Sequence, residues 1–394
     1  MSILFDPKSI GKMIVKNRFV RSPTGDKMTT PEGKCTDTLV DFYSALAEGG
    51  AGLLITGQAY VHLNGRLLPS FIGLHTDDVT EGYRRFTREV HARDARIFAQ
   101  LGHGGRCIFR KDYEFGIPMA PSPVKVELTG MTPREMTEED IQETIDAFAQ
   151  AARRAKEAGF DGVEIHACHG DLIHSFLSPY TNRRKDRWGG SLDKSMRFLL
   201  EVYEKSRRLV GTDFPITVKI NAKDYVEGGI TIDLSRRHAR KIQEAGFDAI
   251  EISAGTHLER HFNLSRGDIP KNYFAIQGKA ESQKRKLIQK LKAMKNEGKF
   301  EEAYLRPFAK EIKKEIDIPL ILPGGQRTVS VMEDILKEGD ADFIGLCRPL
   351  IRDPDFPNKV KKGLKRSDCL NCNQCLVDIY CFSEIWTELE KKRC

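Results

Sequence analysis

Nowhere in the 394-residue sequence do apolar residues run on for the ~18 positions of a membrane span, so a membrane partner is not expected. The opening MSILFDPKSIGK reaches Asp6 and Lys8 too early to hold the apolar core of a secretory signal, and a cytoplasmic protein is the expectation. No GxGxxG follows a strand-like run, which argues against a separate Rossmann-type dinucleotide domain. Charge is not segregated either. The 63 basic and 56 acidic residues, net +7, are interleaved along most of the chain. Only Lys279 to Lys299 and Lys359 to Lys365 are mildly basic stretches, and no stacking aromatics accompany them, so nucleic acid is not an expected partner. A disulfide frame is also missing. Of nine cysteines, Cys35, Cys107, Cys168 and Cys347 lie far apart, while Cys369, Cys372, Cys375, Cys381 and Cys394 crowd into the tail.

What is present is a rhythm. From about residue 40 to 350 an amphipathic helix, a turn often containing Gly and a short β-branched run recur. The runs AGLLITG, ARIFAQLGH, DGVEIHA, PITVKINA, DAIEISAG, IPLILPGG and ADFIGLCRP are apolar without clean alternation, as strands buried on both faces are. With the opening KNRFVRSP they make eight, and the helix in PDFPNKVKKG completes the eighth unit. The expected fold is therefore α/β, a (β/α)8 TIM barrel over residues 1–366. Two segments break the rhythm: an excursion after strand six, from Thr256 to about Phe300, and a Cys-rich C-terminal tail over 367–394.

Such barrels carry their chemistry at the C-terminal strand ends. Strand seven ends in LPGGQR and strand eight in IGLCRP. Glycine pairs there either let backbone N–H groups approach a phosphate, with Arg348 adding a charged donor, or merely end the strands. Strand four ends in HACHGD. His166 and His169, three apart, can turn both imidazoles toward one substrate oxygen, although a lone histidine there would more often be structural. The spacing also suits a metal, but no third carboxylate or Cys ligand stands nearby in a familiar pattern.

The run HACHGDLIHSFLSPYTNRRKDRWGGSLDKSMRF resembles the signature of the Old Yellow Enzyme family of FMN-dependent NAD(P)H:flavin oxidoreductases. The resemblance extends from LFDPKSIGKMIVKNRFVRSPT through AQLGHGGR and APSP to GLCRPLIRDPDFP. It implies FMN as cofactor and NADH or NADPH as visiting electron donor. The flavin would be held by Ser22, Pro23 and Thr24, by Gly57, by Gln100 at its pyrimidine edge and by Lys219 beside N1. Gly324, Gly325, Cys347 and Arg348 would hold its phosphate. A structural alternative for Lys219 is an ion pair with Asp224 or Glu251. His166 and His169 would bind the oxygen of a small-molecule acceptor, an activated alkene, nitro compound or quinone, in a protein expected to form a homo-oligomer.

Two departures leave alternatives open. Where family ene-reductases carry a proton-donating tyrosine, this chain has Asp171, which can donate near neutral pH only with a raised pKa. Otherwise Tyr60, Tyr225 or water supplies the proton, or Asp171 acts as base in an amine or alcohol dehydrogenase. The tail motif CLNCNQC resembles the linker of the iron-sulfur-bearing dienoyl-CoA reductase branch, yet its second gap is one residue shorter. Cys369, Cys372, Cys375 and Cys381 thus form a [4Fe-4S] cluster, a zinc site or a merely structural tail, and a cluster would fit an electron-transfer subunit.

Overall fold

The computed structural model describes residues 2–108, 115–259, 266–267 and 300–375. Eight parallel strands, each register-paired to the next, close into a barrel. They are β1 (Phe19–Arg21), β2 (Leu53–Tyr60), β3 (Arg96–Gly102), β4 (Gly162–Ala167), β5 (Ile216–Asn221), β6 (Ile250–Ser253), β7 (Leu320–Leu322) and β8 (Phe343–Leu346). Closure is made by β8 on β1, with Ile344 opposite Phe19 and Leu346 opposite Arg21. All eight expected strands and the closing helix Phe356–Lys361 are present. Most of the expected excursion after β6 lies outside the described residues.

The helices follow from local signals. The longest, α1 (Glu138–Glu157), starts at a reciprocal cap in which Asp140 N–H donates to Thr137 Oγ1 and Thr137 N–H to Asp140 Oδ2. Its Ile141, Ile145, Phe148 and Ala152 recur at helical spacing and are buried. No helix among the described residues is long and apolar enough to cross a membrane.

The barrel interior is layered. At the N-terminal end Val20, Leu53, Ile55, Phe98, Ile321 and Phe343 form an apolar plug. A hairpin of Lys8–Ile10 with Met13–Val15 covers that end by inserting Ile10 and Val15. Side chains two positions farther along a strand share its inward face, so Gln100 stands directly above Phe98. The next interior layer is polar, with Gln100, Glu164, Lys219 and Glu251 buried in it. A separate buried ion pair lies on the outer face of β1, where Arg21 packs over Phe42 and Tyr43 of the helix Asp37–Glu48. Arg21 donates to Asp26 Oδ1 at 2.7 Å and to Ile55 O at 2.8 Å, while Asp26 Oδ2 accepts from Tyr43 Oη and Gly57 N, both at 2.8 Å. This buried knot ties β1 to β2.

Replacing one member of a buried ion pair strands the other in a medium that solvates it poorly. Asp26→Ala is expected to cost roughly 3–5 kcal/mol, seen as a lower denaturant midpoint at unchanged slope. A loss below about 1 kcal/mol would mean that water reaches the Arg21 guanidinium and that the knot does not brace the barrel.

Candidate active site

The strand ends gather the expected residues on one rim, beginning where β8 meets β1. Thr24 Oγ1 lies 2.7 Å from Cys347 Sγ across 323 positions of sequence. Ser22 Oγ is buried with no hydrogen-bond partner, and Gln326 Oε1, just beyond the β7 glycines, is in the same state. Pro23 follows Ser22 at the end of β1. Gly324 and Gly325 adopt φ of 115° and 86°, a region that side chains avoid, so the loop needs glycine there. A Cβ on Gly57 would meet Thr24 O at 2.4 Å. Orphaned polar atoms beside side-chain-free backbone suit a ligand with a polar edge and a phosphate, and the residues present fit FMN.

Arg348 reaches the rim with its Nη1 committed, donating at 2.6 Å to both Arg266 O and Asn373 Oδ1. Asn373 lies in the Cys-rich tail, so the tail braces the arginine nominated for the phosphate. Nothing in the sequence rhythm pointed to Asn373 or Arg266.

Beneath the rim, register brings two polar pairs together. Gln100 faces Glu164 and donates to it at 2.8 Å, and Lys219 faces Glu251 and donates to it at 2.6 Å. Of the two partners considered for Lys219 the structure selects Glu251. Asp224 is instead occupied by His174, Ser178, Asn221 and Ile230 N–H. Burial opposes the Lys219 charge, but Glu251 and Glu164 outweigh it and hold the ammonium protonated. Burial, then Glu251, pushes the Glu164 carboxyl well above the usual range against the pull of Lys219.

At the end of β4, the His166 and His169 rings stand 5.2 Å apart, nearly edge to face. His169 is in the left-handed region at φ 65°. Asn221 Oδ1 accepts its N–H at 3.3 Å, and its carbonyl accepts from His257 N–H at 2.8 Å, which offsets the strain. His169 Nε2 lies 2.6 Å from Ser253 Oγ. Burial, reinforced by His166 and His257, pushes its pKa well below the ordinary value, so the imidazole is neutral.

Asp171 departs from the proton-donor expectation. Burial alone would raise its pKa, yet hydrogen bonding and charge from His166, with Gln58, leave it lowered and the carboxyl ionised. Gln58 Nε2 donates to its Oδ2 at 2.7 Å, and His166 Nε2 lies 3.2 Å from the same oxygen. The alternative tyrosines are also engaged. Tyr60 donates to Glu32 O at 2.6 Å, and Tyr225 Oη accepts from Arg266 at 3.4 Å.

Of the four tail thiols named as a ligand set, three lie within the described residues. Cys369 is buried, Cys375 half-buried and Cys372 exposed, and Cys381 lies outside the described residues. Among the described residues, the one group of three ligating side chains with atoms within 4.8 Å of one another is His166, Cys168 and His169. Cys168, at the end of β4, is the residue that joins the two histidines there.

Comparison with known proteins places the chain in a family. The sequence matches the NADH:flavin oxidoreductase / NADH oxidase family over residues 3–271 and 271–367. It is 38% identical over 381 residues to a metal reductase of Desulforamulus reducens, covering 96% of this chain and 52% of that protein. It is 33% identical over 362 residues to an NADPH dehydrogenase of Bacillus subtilis, covering 92% and 95%. A solved 2-naphthoyl-CoA reductase complex superposes with a TM-score of 0.80 at 29% identity, covering 94% of this chain and 54% of that one. The chain thus spans about half the length of some relatives and nearly all of others. A match running through almost the whole barrel, with a relative of similar length at one-third identity, means that this chain belongs to the FMN-dependent NADH:flavin oxidoreductase / NADH oxidase family.

Proposed function

We propose that the protein oxidises NADH or NADPH and reduces an electron-poor alkene, nitro compound or quinone. The observation that carries this reading is the neutral His169 beside His166, two imidazoles at one strand end above a cationic lysine. FMN, when bound, supplies the two-electron chemistry, accepting hydride from the nicotinamide and passing it to the acceptor. The chain's residues do the rest. His166 and His169 hold the acceptor oxygen and draw electron density from the alkene as hydride arrives. Lys219 sets a positive charge near the pyrimidine edge, and Gln100 offers its amide there. Ser22, Pro23, Thr24 and Gly57 line the flavin, while Gly324, Gly325, Cys347 and Arg348 take the phosphate. The activities for which relatives are named, a metal reductase and an NADPH dehydrogenase, favour this direction.

Asp171 then orients His166 rather than donating the proton, which comes from water. The same ionised carboxylate supports a second reading, an amine dehydrogenase in which Asp171 holds or deprotonates a cationic substrate. An anaerobic spectrum separates the two. Bleaching of the flavin by NADH or NADPH supports the first, and bleaching by amines with no response to either nicotinamide overturns it.

Three outcomes are expected. His166→Ala and His169→Ala should each lower turnover with a cyclic enone by about tenfold or more while leaving the flavin spectrum intact, on the scale of one lost transition-state hydrogen bond. Flavin loss with normal activity per remaining flavin would contradict the assignment. Arg348→Ala should weaken FMN retention by about 2 kcal/mol, measured by fluorescence titration of the released flavin. Unchanged retention would move the phosphate elsewhere.

The third outcome follows from the sign of the Asp171 shift. A group whose folded pKa is depressed is ionised above its ordinary value of about 4 and stabilises the fold there, losing that contribution as pH falls through the depressed pKa. The oxidative half-reaction should therefore show no carboxyl-dependent fall between about pH 5 and 9, and Asp171→Asn should leave the shape of the profile unchanged. A fall in that range that disappears in Asp171→Asn would restore the carboxyl as proton donor.

A further inference from the structure

β5 runs on past Asn221 into a loop that leads to the helix Ile232–Ala245, and a cavity of about 480 Å³ opens there. Its wall includes Lys223, Tyr225, Val226, Glu227, Ile230 and Arg266, none of which the reaction proposed above uses. The cavity belongs to the same rim as the histidines. Lys223 O accepts from Gly255 N–H at 2.8 Å, joining the ends of β5 and β6, and the same two strands supply Asn221 and Ser253 to His169. On its other side Arg266 O accepts from Arg348, the arginine nominated for the phosphate.

The loop is held in one conformation. Asp224 Oδ2 accepts from Ile230 N–H at 2.8 Å, and Asp224 N–H donates to Ile230 O at 3.0 Å, which ties the loop's two ends together. Between them Tyr225 stands in the left-handed region at φ 59°, which a bulky residue adopts only where its surroundings hold it. Its side chain orients two cations. Lys223 Nζ lies 5.2 Å from the centre of its ring, and Arg266 donates to its Oη at 3.4 Å. Neither cation is neutralised at close range. Among the described residues Lys223 has no ion-pair partner, and Arg266 has Glu301 at 3.7 Å, a carboxylate 73% exposed and therefore a weak one. Ile230 and Val226 give the cavity an apolar side, and Glu227 is the one carboxylate in its wall.

Two oriented cations beside an apolar side suit an anion on an organic stem. The guanidinium offers a planar fork to a carboxylate or phosphate, and the ammonium adds a point charge. We propose that Lys223 and Arg266 form a subsite for an anionic group, a carboxylate or a phosphate, that a visiting substrate carries away from the bond being reduced. Glu227 repels an anion placed beside it, so the group sits toward the two cations. Binding energy gathered there holds the reacting end in position without entering the chemistry. The group has two sources, the tail of the acceptor and the phosphates of NADH or NADPH. That a substrate is turned over at the histidines rests on the function proposed above; that the subsite holds an anion does not.

The test uses the FMN-loaded full chain, with flavin content reporting that the barrel is intact. Calorimetric titration with inorganic pyrophosphate should show binding at least tenfold weaker in a Lys223→Met, Arg266→Met double variant than in the wild type, retained in Lys223→Arg and tightened in Glu227→Gln. Equal binding by the double variant and the wild type overturns the subsite. Two kinetic arms then separate the sources. If the anion is the acceptor's, the double variant lowers at least tenfold the ratio of kcat/KM for a cyclohexenone with a carboxymethyl tail to that for its methyl ester. If it is the donor's, the concentration of NADH or NADPH that half-saturates anaerobic flavin bleaching rises at least tenfold and the ratio stays. Bleaching and enone reduction in which neither arm responds to the double variant overturn the proposal and leave the function standing. Pyrophosphate held through the two cations in a protein whose flavin answers neither nicotinamide upholds the anion subsite and overturns the function.

Discussion

The pairing of β8 with β1 is the constraint on which the rest of the molecule depends. Without it the sheet would have two open edges, and the rim would not exist, because its residues come from strands at opposite ends of the sequence. Once the register sets Leu346 against Arg21, Thr24 and Cys347 must meet, and the loops after β7 and β8 face the loops after β1 and β2. Closure also forces side chains into a confined interior. An apolar plug fills the N-terminal half, and above it Gln100, Glu164, Lys219 and Glu251 are buried. Burying such groups opposes folding, since apolar side chains of similar volume would often serve stability as well or better. The charged layer is therefore best understood through what it faces. It sits directly beneath the rim, where a redox cofactor needs a fixed field in a poorly solvating medium.

Asp171 illustrates how environment rather than position assigns a role. A carboxyl at the end of β4 would become a proton donor if its neighbours were apolar or anionic. Here both neighbours on Oδ2, Gln58 and His166, stabilise the ionised form. The consequence passes to His166, whose Nε2 is taken and whose ring is thereby held in place. One hydrogen bond thus decides both which group lacks a proton to give and which face of the imidazole is presented.

Much of the barrel was legible because its strands are buried on both faces, which leaves a contiguous apolar run for each. The long signature was legible for a different reason. Its residues hold the loop that supports the β4 end: Ser178 donates to Asp224, Asn182 to Phe176 O and Trp188 O, and Arg184 to Met136 O. Geometry of that kind tolerates few substitutes, so the letters themselves carry it. What escaped reading depends on three-dimensional register. The hairpin at the barrel floor has strands of three residues, too short to show a period. The choice of Glu251 for Lys219 is fixed by the β5–β6 alignment. Cys168, two residues beyond His166, would share its face if β4 continued, but the strand ends at Ala167 and the backbone turns at His169, so the turn and not the strand period sets where the sulfur goes.

The tail was only partly legible for a related reason. Three cysteines at even spacing suggest ligands converging on a metal, yet spacing sets only the reach of the chain, and backbone conformation sets where the sulfurs go. Asn371 and Asn373, between the cysteines, both adopt φ of 56°, and the flanking thiols end in buried, exposed and half-buried surroundings. The segment does other work in this conformation. Ser367 N–H donates to Arg327 O beside the β7 glycines, and Asn373 accepts from Arg348 at the start of the helix after β8. A charge-assisted hydrogen bond of this kind contributes roughly 1.5–3 kcal/mol and restricts the guanidinium to one direction. The tail therefore acts on the barrel through the two loops nominated for the phosphate, where Asn373 clamps Arg348.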